Sequence, residues 1–169
     1  MSEDNNIPIL YSLQNCPYAM RARLALLLSK QPIIIRAITL KNKPQAMLDA
    51  SPKGTVPVLI LPDGTVIEES IDIMLWALAQ NDPNNLLHPD QPDIQQGIIQ
   101  LVQRTDDEFK HPLEQYRAAK RYHRDTEIQW RTQCEVFIAE LEQRLTENGF
   151  FVGNTASLAD YSLIPFMRQ

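Results

Sequence analysis

Apolar positions in the N-terminal part of the chain change their spacing from strand-like to helical and back. Residues 7–12 and 32–40 are short apolar runs of strand character, whereas residues 17–28 carry apolar side chains at helical spacing. The pattern therefore predicts a β-α-β unit with a helix from Pro17 to about Leu28. Arg21 and Arg23 fall outside its predicted buried stripe, which is formed by Met20, Leu24, Leu27 and Leu28.

A polar connection, a hairpin and a second helix follow. Residues 42–54 are predominantly polar and predict the connection. In residues 55–70 two β-rich runs are joined through an Asp-Gly pair, which is typical of tight hairpin turns. Helical spacing resumes at Ser70 and continues through residue 80. The order β-α-β, connection, β-β-α predicts a small α/β domain with a mixed sheet, to which we assign residues 1–80.

The rest of the chain has helical spacing. Residues 81–93 are rich in Pro, Asn and Asp and predict a linker, and residues 94–169 predict an all-helical domain. Its last helix opens at Ser157, with Asp160 at capping-box spacing. Because the pattern breaks off at Gln169 without a helix stop signal, we expect this domain to be incomplete. Its predicted apolar faces are formed by Ile94, Ile98, Leu101, Thr105 and Phe109, and by Trp130, Cys134, Phe137, Ile138, Leu141 and Leu145.

Charge and composition exclude several classes of partner. The net charge of -5 and the pI of about 5.2 are unfavourable for nucleic acids and anionic membranes, which are bound by basic surfaces. No apolar run is long enough to span a bilayer, and the acidic first residues lack the pattern of a secretory signal. Cys16 and Cys134 have such different surroundings that no structural disulfide is predicted. We therefore expect a cytoplasmic protein.

Cys16 precedes a proline that suits the first turn of a helix, which makes Cys16 the predicted N-cap. There its sulfur would face the free N–H groups of Tyr18 and Ala19, and the helix dipole, helped by Arg21 or Arg23, would favour the thiolate. A thiolate attacks disulfide sulfur or electrophilic carbon. The alternative is a half-buried packing cysteine. Because "CPYA" has no second cysteine, a reactive Cys16 needs an external thiol as its partner.

Two further positions suggest recognition of a peptide-like ligand. Pro57 interrupts an apolar strand, and with a cis Val56-Pro57 bond the Val56 N–H and C=O would face outward and could pair with an extended peptide. The alternative is a plain edge-strand proline. Ser70 can cap the second helix while the exposed N–H groups receive a carboxylate, and Glu69 could take an ammonium group. The alternative is ordinary capping by Ser70 with Glu69 in solvent.

Two other groups of residues are interpreted without a function. Residues 109–125 gather basic side chains and two tyrosines, which we interpret as a solvated, charge-laced helix rather than as a nucleic-acid site. His88, His111 and His123 lack the spacing of metal ligands. We therefore predict surface histidines and no bound metal.

The motifs occur in an order known from one family. With "CPYAMRARLAL", "KGTVPVLI", "EES" and "SLADYSLIPF", the sequence resembles the glutathione transferases, and most of all their cysteine-bearing, omega-like members. The resemblance extends over nearly the whole chain. It implies a thioredoxin-like α/β N-terminal domain followed by an all-α domain, and it implies a homodimer.

The resemblance also assigns a role to each motif. It makes Cys16 the residue that faces the glutathione sulfur, and Val56, before a cis Pro57, the backbone partner of the cysteinyl unit. Glu69 and Ser70 would hold the γ-glutamyl head. A glutathione site is thus implied around the start of the first helix.

One more segment belongs to the implied site. "LKNKP" is similar to the omega-type segment that contacts glutathione. It would place Leu40 and Lys43 at the other end of the tripeptide, with Lys43 near the glycyl carboxylate.

The implied activity is glutathione-dependent thiol transfer or reduction, because a cysteine at this position tends to form a mixed disulfide. Glutathione would be the co-substrate, beside a small electrophilic or disulfide substrate, and omega-like relatives also reduce dehydroascorbate. One alternative is a transferase that conjugates glutathione to electrophiles and in which Cys16 matters little. Another is a non-enzymatic adaptor that keeps the fold for protein contacts.

Overall fold

A computed structural model describes residues 6–169 and divides the chain into two compact units, Met1–Asn84 and Asn85–Gln169. The first unit has a four-stranded mixed sheet with three helices, and the described part of the second unit is helical. The predicted fold class is therefore confirmed. The interpretation of the acidic first residues concerns, in part, residues 1–5, which lie outside the described residues. The domain bounds 1–80, 81–93 and 94–169 stay predictions.

The sheet of the first unit forms from the runs that the sequence marks as strands. Strands β1 (Ile9–Ser12) and β2 (Ile34–Ala37) are parallel, as the crossover helix α1 (Pro17–Leu28) between them allows. Strand β3 (Val58–Ile60) runs antiparallel to β1 and to β4 (Val66–Ile67), which gives the order β2-β1-β3-β4. The predicted β-α-β unit and the hairpin are confirmed.

Two more helices complete the first unit. Helix α3 (Ser70–Gln80) matches the prediction, whereas a short helix α2 (Gln45–Ala50) lies in the segment that we interpret as a polar connection. Of the α2 residues only Met47 is buried, and it packs in a core cluster with Tyr11 and Val58. A single buried side chain gives no periodicity, so the sequence pattern does not indicate this helix.

The buried face of α1 differs from the predicted stripe. Leu27 is 74% exposed, whereas Arg21 is fully buried. Alanines weigh little in an apolar stripe, but their small side chains permit close packing, and α1 packs against α3. The prediction is therefore wrong for Leu27 and Arg21. The buried face also contains Ala19, Ala22, Ala25 and Leu26.

The second unit is built from helices α4 (Pro92–Arg104), α5 (Lys110–Arg121), α6 (Glu127–Asn148) and α7 (Leu158–Met167). A π-helical turn at Thr105–Phe109 joins α4 to α5. The two predicted apolar faces are buried near their centres, while Ile138 and Leu145 lie at an exposed margin. The buried members of these faces are Ile98, Leu101, Thr105, Phe109, Cys134, Phe137 and Leu141.

Two predictions of non-functional roles concern this unit. Cys134 is buried on α6, and this burial raises the pKa of its thiol, which confirms a packing role. In the basic segment, Lys120 lies over the Tyr116 ring and Arg124 over the Tyr122 ring, at 5.8 and 5.5 Å. Each of the two tyrosine rings therefore contacts a cation of its own segment.

His88 corrects the prediction of surface histidines. His111 and His123 are exposed, but only 5% of His88 is. Its Nε2 lies 3.2 Å from the Ala156 carbonyl oxygen, and its buried Nδ1 has no hydrogen-bond partner within residues 6–169. The prediction fails here because the lack of metal-ligand spacing does not imply exposure: such a histidine can still pack inside the unit.

Neither a candidate metal centre nor a membrane-spanning helix occurs among residues 6–169. Across residues 6–169, no group of three or more His, Cys, Asp or Glu side chains is placed to hold a metal ion. Within the same range, every helix is too short or too polar to cross a membrane.

Glu140 of α6 joins two arginines in a network that depends on pH. Arg104 donates two hydrogen bonds of 2.7 Å to its carboxylate, and Arg144 donates two more, of 3.0 and 2.9 Å. These hydrogen bonds, those from Arg104 foremost, lower the pKa of Glu140 to about 2. The carboxylate is therefore charged in the folded state well below the pH at which an unfolded glutamate takes up a proton.

We expect Glu140→Gln to lower the free energy of unfolding by about 1 kcal/mol at pH 6, a value that allows for solvent screening of a partly exposed pair. The pKa is depressed in the folded state, so the contribution is present above the unfolded pKa and is lost as the pH falls toward 2. Urea unfolding of both proteins from pH 6 to pH 2.5 measures the difference. A difference that stays constant over this range would contradict the prediction.

The matched control lies on the same helix. Glu135 accepts a hydrogen bond from Arg131 in an exposed pair, with 56% and 65% of the two side chains accessible. Because exposed pairs are screened by water, Glu135→Gln should have a smaller effect at every pH.

Candidate functional site

Cys16 lies at the N-cap of α1, followed by Pro17 in the first turn, as predicted. Its N–H donates to the Leu13 carbonyl oxygen at 3.3 Å, and its own carbonyl accepts the first helical bond from Met20 at 2.9 Å. The side chain is half-buried. The start of α1 thus fixes the sulfur beside the open end of the helix.

The sequence predicts that the Cys16 sulfur faces the free N–H groups at the start of α1, but in the structure it has another partner. Within the described chain, the Cys16 side chain makes no capping hydrogen bond to the first turn of α1, and Sγ instead lies 3.9 Å from the Val56 carbonyl oxygen. A neutral thiol is a donor, so it turns to a carbonyl, whereas the helix N–H groups suit a thiolate. The structure therefore brings together Cys16 and Val56, two residues separated by 40 positions.

Val56 is joined to Pro57 by a cis peptide bond, as predicted. Pro57 is buried and immediately precedes β3, which is paired on both sides, with β1 and with β4. The alternative of an edge-strand proline is therefore wrong. Pro57 lies before the ladder begins, where a missing N–H donor does not interrupt it.

Glu69 and Ser70 lie at the start of α3 in a different arrangement from the predicted one. The N-cap is Glu69, with φ and ψ of -88° and 135°, and Ser70 is the first helical residue. The prediction that Ser70 caps the helix is therefore wrong by one position, because backbone angles and not residue type define the cap. Ser70 is buried, while the Glu69 carboxylate pairs with the ammonium group of Lys53.

Leu40 and Lys43 differ in how they relate to this region. Leu40 is 67% exposed. Lys43 extends over Gly54, since a Cβ atom placed on Gly54 would lie 3.4 Å from Lys43 Nζ and 3.3 Å from Leu48 Cδ2. Gly54 also has a φ of 62°, which favours glycine. The Lys43 ammonium thus lies next to the loop that leads to Val56.

That loop, residues 51–57, connects the candidate residues. Val56 contacts Cys16, Gly54 lies under Lys43, and Lys53 pairs with Glu69. At its start the buried Ser51 hydroxyl donates to Glu68. The structure therefore gathers Cys16, Lys43, Val56 and Glu69 around one loop, and it ties Leu40 to none of these contacts among the described residues.

Sequence reasoning missed Lys53, Ser51 and Glu68. Lys53 stands in "KGTVPVLI", but nothing in that motif indicates a carboxylate partner 16 residues further along the chain. Ser51 and Glu68 are 17 positions apart and likewise meet only in the folded unit. Pairs of this kind follow from the sheet and helix packing and leave no local signal.

The arrangement suits one kind of ligand. A backbone carbonyl at Val56, an ammonium at Lys43 and a carboxylate at Glu69 match an extended peptide with a carboxylate at one end and an ammonium at the other. The Glu69 side chain is 63% exposed and pairs with the Lys53 ammonium, so its carboxylate is both accessible to an ammonium group and able to bind one. The thiol of Cys16 lies beside the predicted peptide edge.

Comparison with known proteins gives a consistent result. Residues 10–85 match the family model described as Glutathione S-transferase, N-terminal domain. The chain is 28% identical over 160 residues to glutathione S-transferase omega-1 of Rattus norvegicus, and 30% identical over 169 residues to pyrimidodiazepine synthase of Drosophila melanogaster. The matches include 95% and 98% of this chain but 66% of each relative, slightly less than two thirds.

Solved structures support the fold. Glutathione transferase Omega 3C from Trametes versicolor superposes with a TM-score of 0.83 at 21% identity, over 99% of this chain and 73% of that one. The predicted resemblance is therefore confirmed.

Proposed function

Because residues 10–85 match the glutathione S-transferase N-terminal family model and the chain is similar to omega-type glutathione transferases over nearly its whole length, we propose that it is a glutathione-dependent thiol transferase whose nucleophile is Cys16. One observation carries the proposal: a cysteine sulfur lies at a helix N-terminus, 3.9 Å from the carbonyl of the predicted peptide-binding edge. A thiolate there is stabilised by the helix dipole and is within reach of a bound tripeptide.

Glutathione would be held by residues of the first unit. The Val56 carbonyl would accept the cysteinyl N–H, which requires the Cys16 thiol to release it. Glu69 would exchange the Lys53 ammonium for that of the γ-glutamyl unit, whose carboxylate would face the first turn of α3 at Ser70.

The other end of the tripeptide would lie toward the segment before α2. Lys43 would pair with the glycyl carboxylate, since its ammonium already lies next to the loop that leads to Val56. Leu40, which is 67% exposed, would flank the same end, and the buried Pro57 would hold the Val56 edge in place.

The reaction would proceed in two exchanges. The Cys16 thiolate attacks the glutathionyl sulfur of a mixed disulfide, which forms a Cys16–glutathione disulfide and releases the substrate as a thiolate that takes a proton from water. A second glutathione thiolate then attacks the glutathionyl sulfur. This step forms oxidised glutathione from the glutathionyl group and the second glutathione and returns the Cys16 thiolate, so that one mixed disulfide is reduced to a thiol at the expense of one free glutathione.

The similarity to glutathione transferases also supports two broader proposals. We infer a homodimer in the cytoplasm that acts on small disulfide or electrophilic substrates, with dehydroascorbate as one candidate. Neither a metal nor a nucleic acid has a role in this mechanism.

Intact-mass spectrometry tests the proposal. The protein is incubated with a small mixed disulfide of glutathione, and peptide mapping locates any adduct. One glutathionyl group on Cys16, removed by added glutathione as turnover proceeds, is the expected result. Turnover without an adduct at Cys16 would overturn the nucleophile assignment.

Glu69→Gln is expected to raise the KM for the glutathione mixed disulfide about tenfold, because a neutral amide binds the γ-glutamyl ammonium group much less strongly than a carboxylate does. The kcat should change little, since Glu69 lies at the far end of the ligand from Cys16 in the proposed complex. Steady-state turnover at saturating glutathione over a range of mixed-disulfide concentrations measures both constants.

Lys53→Met is the matched control for Glu69→Gln. It breaks the same exposed ion pair but leaves the carboxylate free for the ligand, so the KM should stay within about threefold of the original value. A tenfold rise in KM for Lys53→Met as well would show that the pair, and not the Glu69 carboxylate alone, is needed.

A further inference from the structure

Arg23 is hydrogen-bonded to the segment that immediately precedes Cys16. Its Nη1 donates to the Leu13 carbonyl oxygen at 3.1 Å, and its Nη2 donates to the Gln14 carbonyl oxygen at 2.8 Å. Nη1 also bonds to the hydroxyl of Ser12, the last residue of β1. One guanidinium group thus binds three consecutive residues, from the end of β1 toward the N-cap.

The same carbonyl serves Cys16. Leu13 O accepts the Cys16 N–H at 3.3 Å as well as the Arg23 bond. Arg23 follows Cys16 by seven positions, about two helical turns, so both residues lie on one side of α1. The guanidinium therefore holds the turn that determines where the Cys16 backbone, and with it the sulfur, enters the helix.

The charge of Arg23 acts on the sulfur too. Burial lowers the pKa of the Arg23 guanidinium, and attraction to Cys16 opposes this shift, so the two groups interact. A Cys16 thiolate has no proton to donate to Val56 and is repelled by that carbonyl oxygen. An ionised sulfur is therefore better placed toward the helix N–H groups and the arginine.

Arg21, the other candidate from the sequence, has a different environment. It is fully buried, and its guanidinium lies over the Tyr18 ring at 5.8 Å. Arg23, in contrast, is bonded to the segment before the N-cap. The structure thus separates two arginines that the sequence leaves equivalent.

We propose that Arg23 is the positioning residue of the Cys16 centre, which holds residues 12–14 in place and supplies positive charge to the thiolate. The expected effect of Arg23 on turnover rests on the proposed function. The expected effect of Arg23 on the reactivity of the Cys16 sulfur is independent of any substrate.

Alkylation with two reagents tests the charge. The rate constants of Cys16 with iodoacetate, an anion, and with neutral iodoacetamide are compared in Arg23→Gln and the original protein, with Cys134→Ser in both so that one thiol remains. We expect the ratio of iodoacetate to iodoacetamide rates to fall about three- to tenfold in Arg23→Gln, as the loss of one charge near the sulfur requires. Arg23→Lys should keep the ratio within about twofold.

Turnover tests the positioning. In Arg23→Gln and Arg23→Lys the kcat for a glutathione mixed disulfide should fall about tenfold or more, with the KM for glutathione within about twofold, because lysine cannot bind three acceptors as a planar fork does. Arg36→Gln is the control, since it removes one charge from exposed strand β2, where Arg36 contacts Tyr11. It should change neither quantity.

The outcomes separate the two proposals. An unchanged reagent ratio in folded Arg23→Gln would overturn the electrostatic part, and an unchanged kcat in Arg23→Lys would overturn the positioning part. Absence of a glutathionyl adduct in the original protein, with the ratio still dependent on Arg23, would instead overturn the proposed function alone. Circular dichroism of each variant establishes that it is folded.

Discussion

Cys16→Ser is expected to lower thiol-transfer turnover by at least about 1,000-fold, as removal of an enzyme nucleophile typically does. A serine hydroxyl is hardly ionised near neutral pH and does not form a stable bond to sulfur, so the mixed disulfide cannot form. Glutathione binding should persist, with a Kd within about threefold, because the proposed contacts come from Lys43, Val56 and Glu69. The new hydroxyl can still donate to the Val56 carbonyl.

Two measurements separate chemistry from binding. Reduction of a small glutathione mixed disulfide gives the turnover, and titration calorimetry with glutathione gives the Kd. Cys134→Ser is the matched control: Cys134 is buried in α6, and burial raises the pKa of its thiol, so this variant should keep turnover within about twofold. Equal losses in both variants would point to a shared structural cause.

The same variant decides between the alternative functions. If Cys16→Ser keeps or gains conjugation of an aryl halide to glutathione while thiol transfer is absent from the original protein, the chain is a conjugating transferase. If the original protein fails to bind glutathione at millimolar concentration, an adaptor role is favoured. Thiol transfer that survives in Cys16→Ser would refute the nucleophile.

Local signals carried most of the fold prediction. Strand-like and helical spacing, Pro17 in a first turn and an Asp-Gly hairpin each depend on residues close together in the chain, so β1, α1, β2 and the β3–β4 hairpin follow from pattern. The capping box at Ser157 is of the same kind, and both of its reciprocal bonds are present. The prediction of a cis bond before Pro57 rests on the resemblance of "KGTVPVLI" to a family motif, and the structure contains that cis bond.

Tertiary packing determined what the sequence did not indicate. Arg21 is buried although an arginine is expected in water, and His88 is buried because its Nε2 finds the Ala156 carbonyl oxygen, 68 positions away. Glu69 meets Lys53 only once β3 and α3 are in place. Such contacts depend on elements distant in sequence, and a pattern of apolar positions contains no information about which polar side chains will meet.

The sequence predicts the position of Cys16 but cannot decide between Arg21 and Arg23, because only the first depends on neighbouring residues alone. Cys16 at the N-cap is a local feature, and the structure places it there. The choice between Arg21 and Arg23 is not local, because it depends on which guanidinium reaches the segment after β1. The structure makes that choice through the bonds of Arg23 to Leu13 and Gln14.

Asp160→Ala is expected to lower the free energy of unfolding of the helical unit by about 3 kcal/mol, because it leaves buried donors without an acceptor. Asp160 Oδ2 accepts bonds from the Ser157 N–H and hydroxyl, both at 2.8 Å, and Oδ1 accepts one from the Phe151 N–H at 2.9 Å. Only 8% of Asp160 is exposed, so water cannot replace these bonds. For a unit of this size, a loss of about 3 kcal/mol corresponds to a Tm lower by about 12 to 24 °C.

Urea unfolding followed by Trp130 fluorescence, in a Trp76→Phe background, reports on the helical unit of the full chain. Ser157→Ala should cost only about 1 kcal/mol, because the carboxylate still accepts both N–H groups, and Asp160→Asn should fall between the two variants since one oxygen remains. Glu142→Ala, at an exposed position of α6, should stay within about 0.5 kcal/mol of the original protein. Were Asp160→Ala no more destabilising than Ser157→Ala, the carboxylate could not be what satisfies the Phe151 and Ser157 N–H groups.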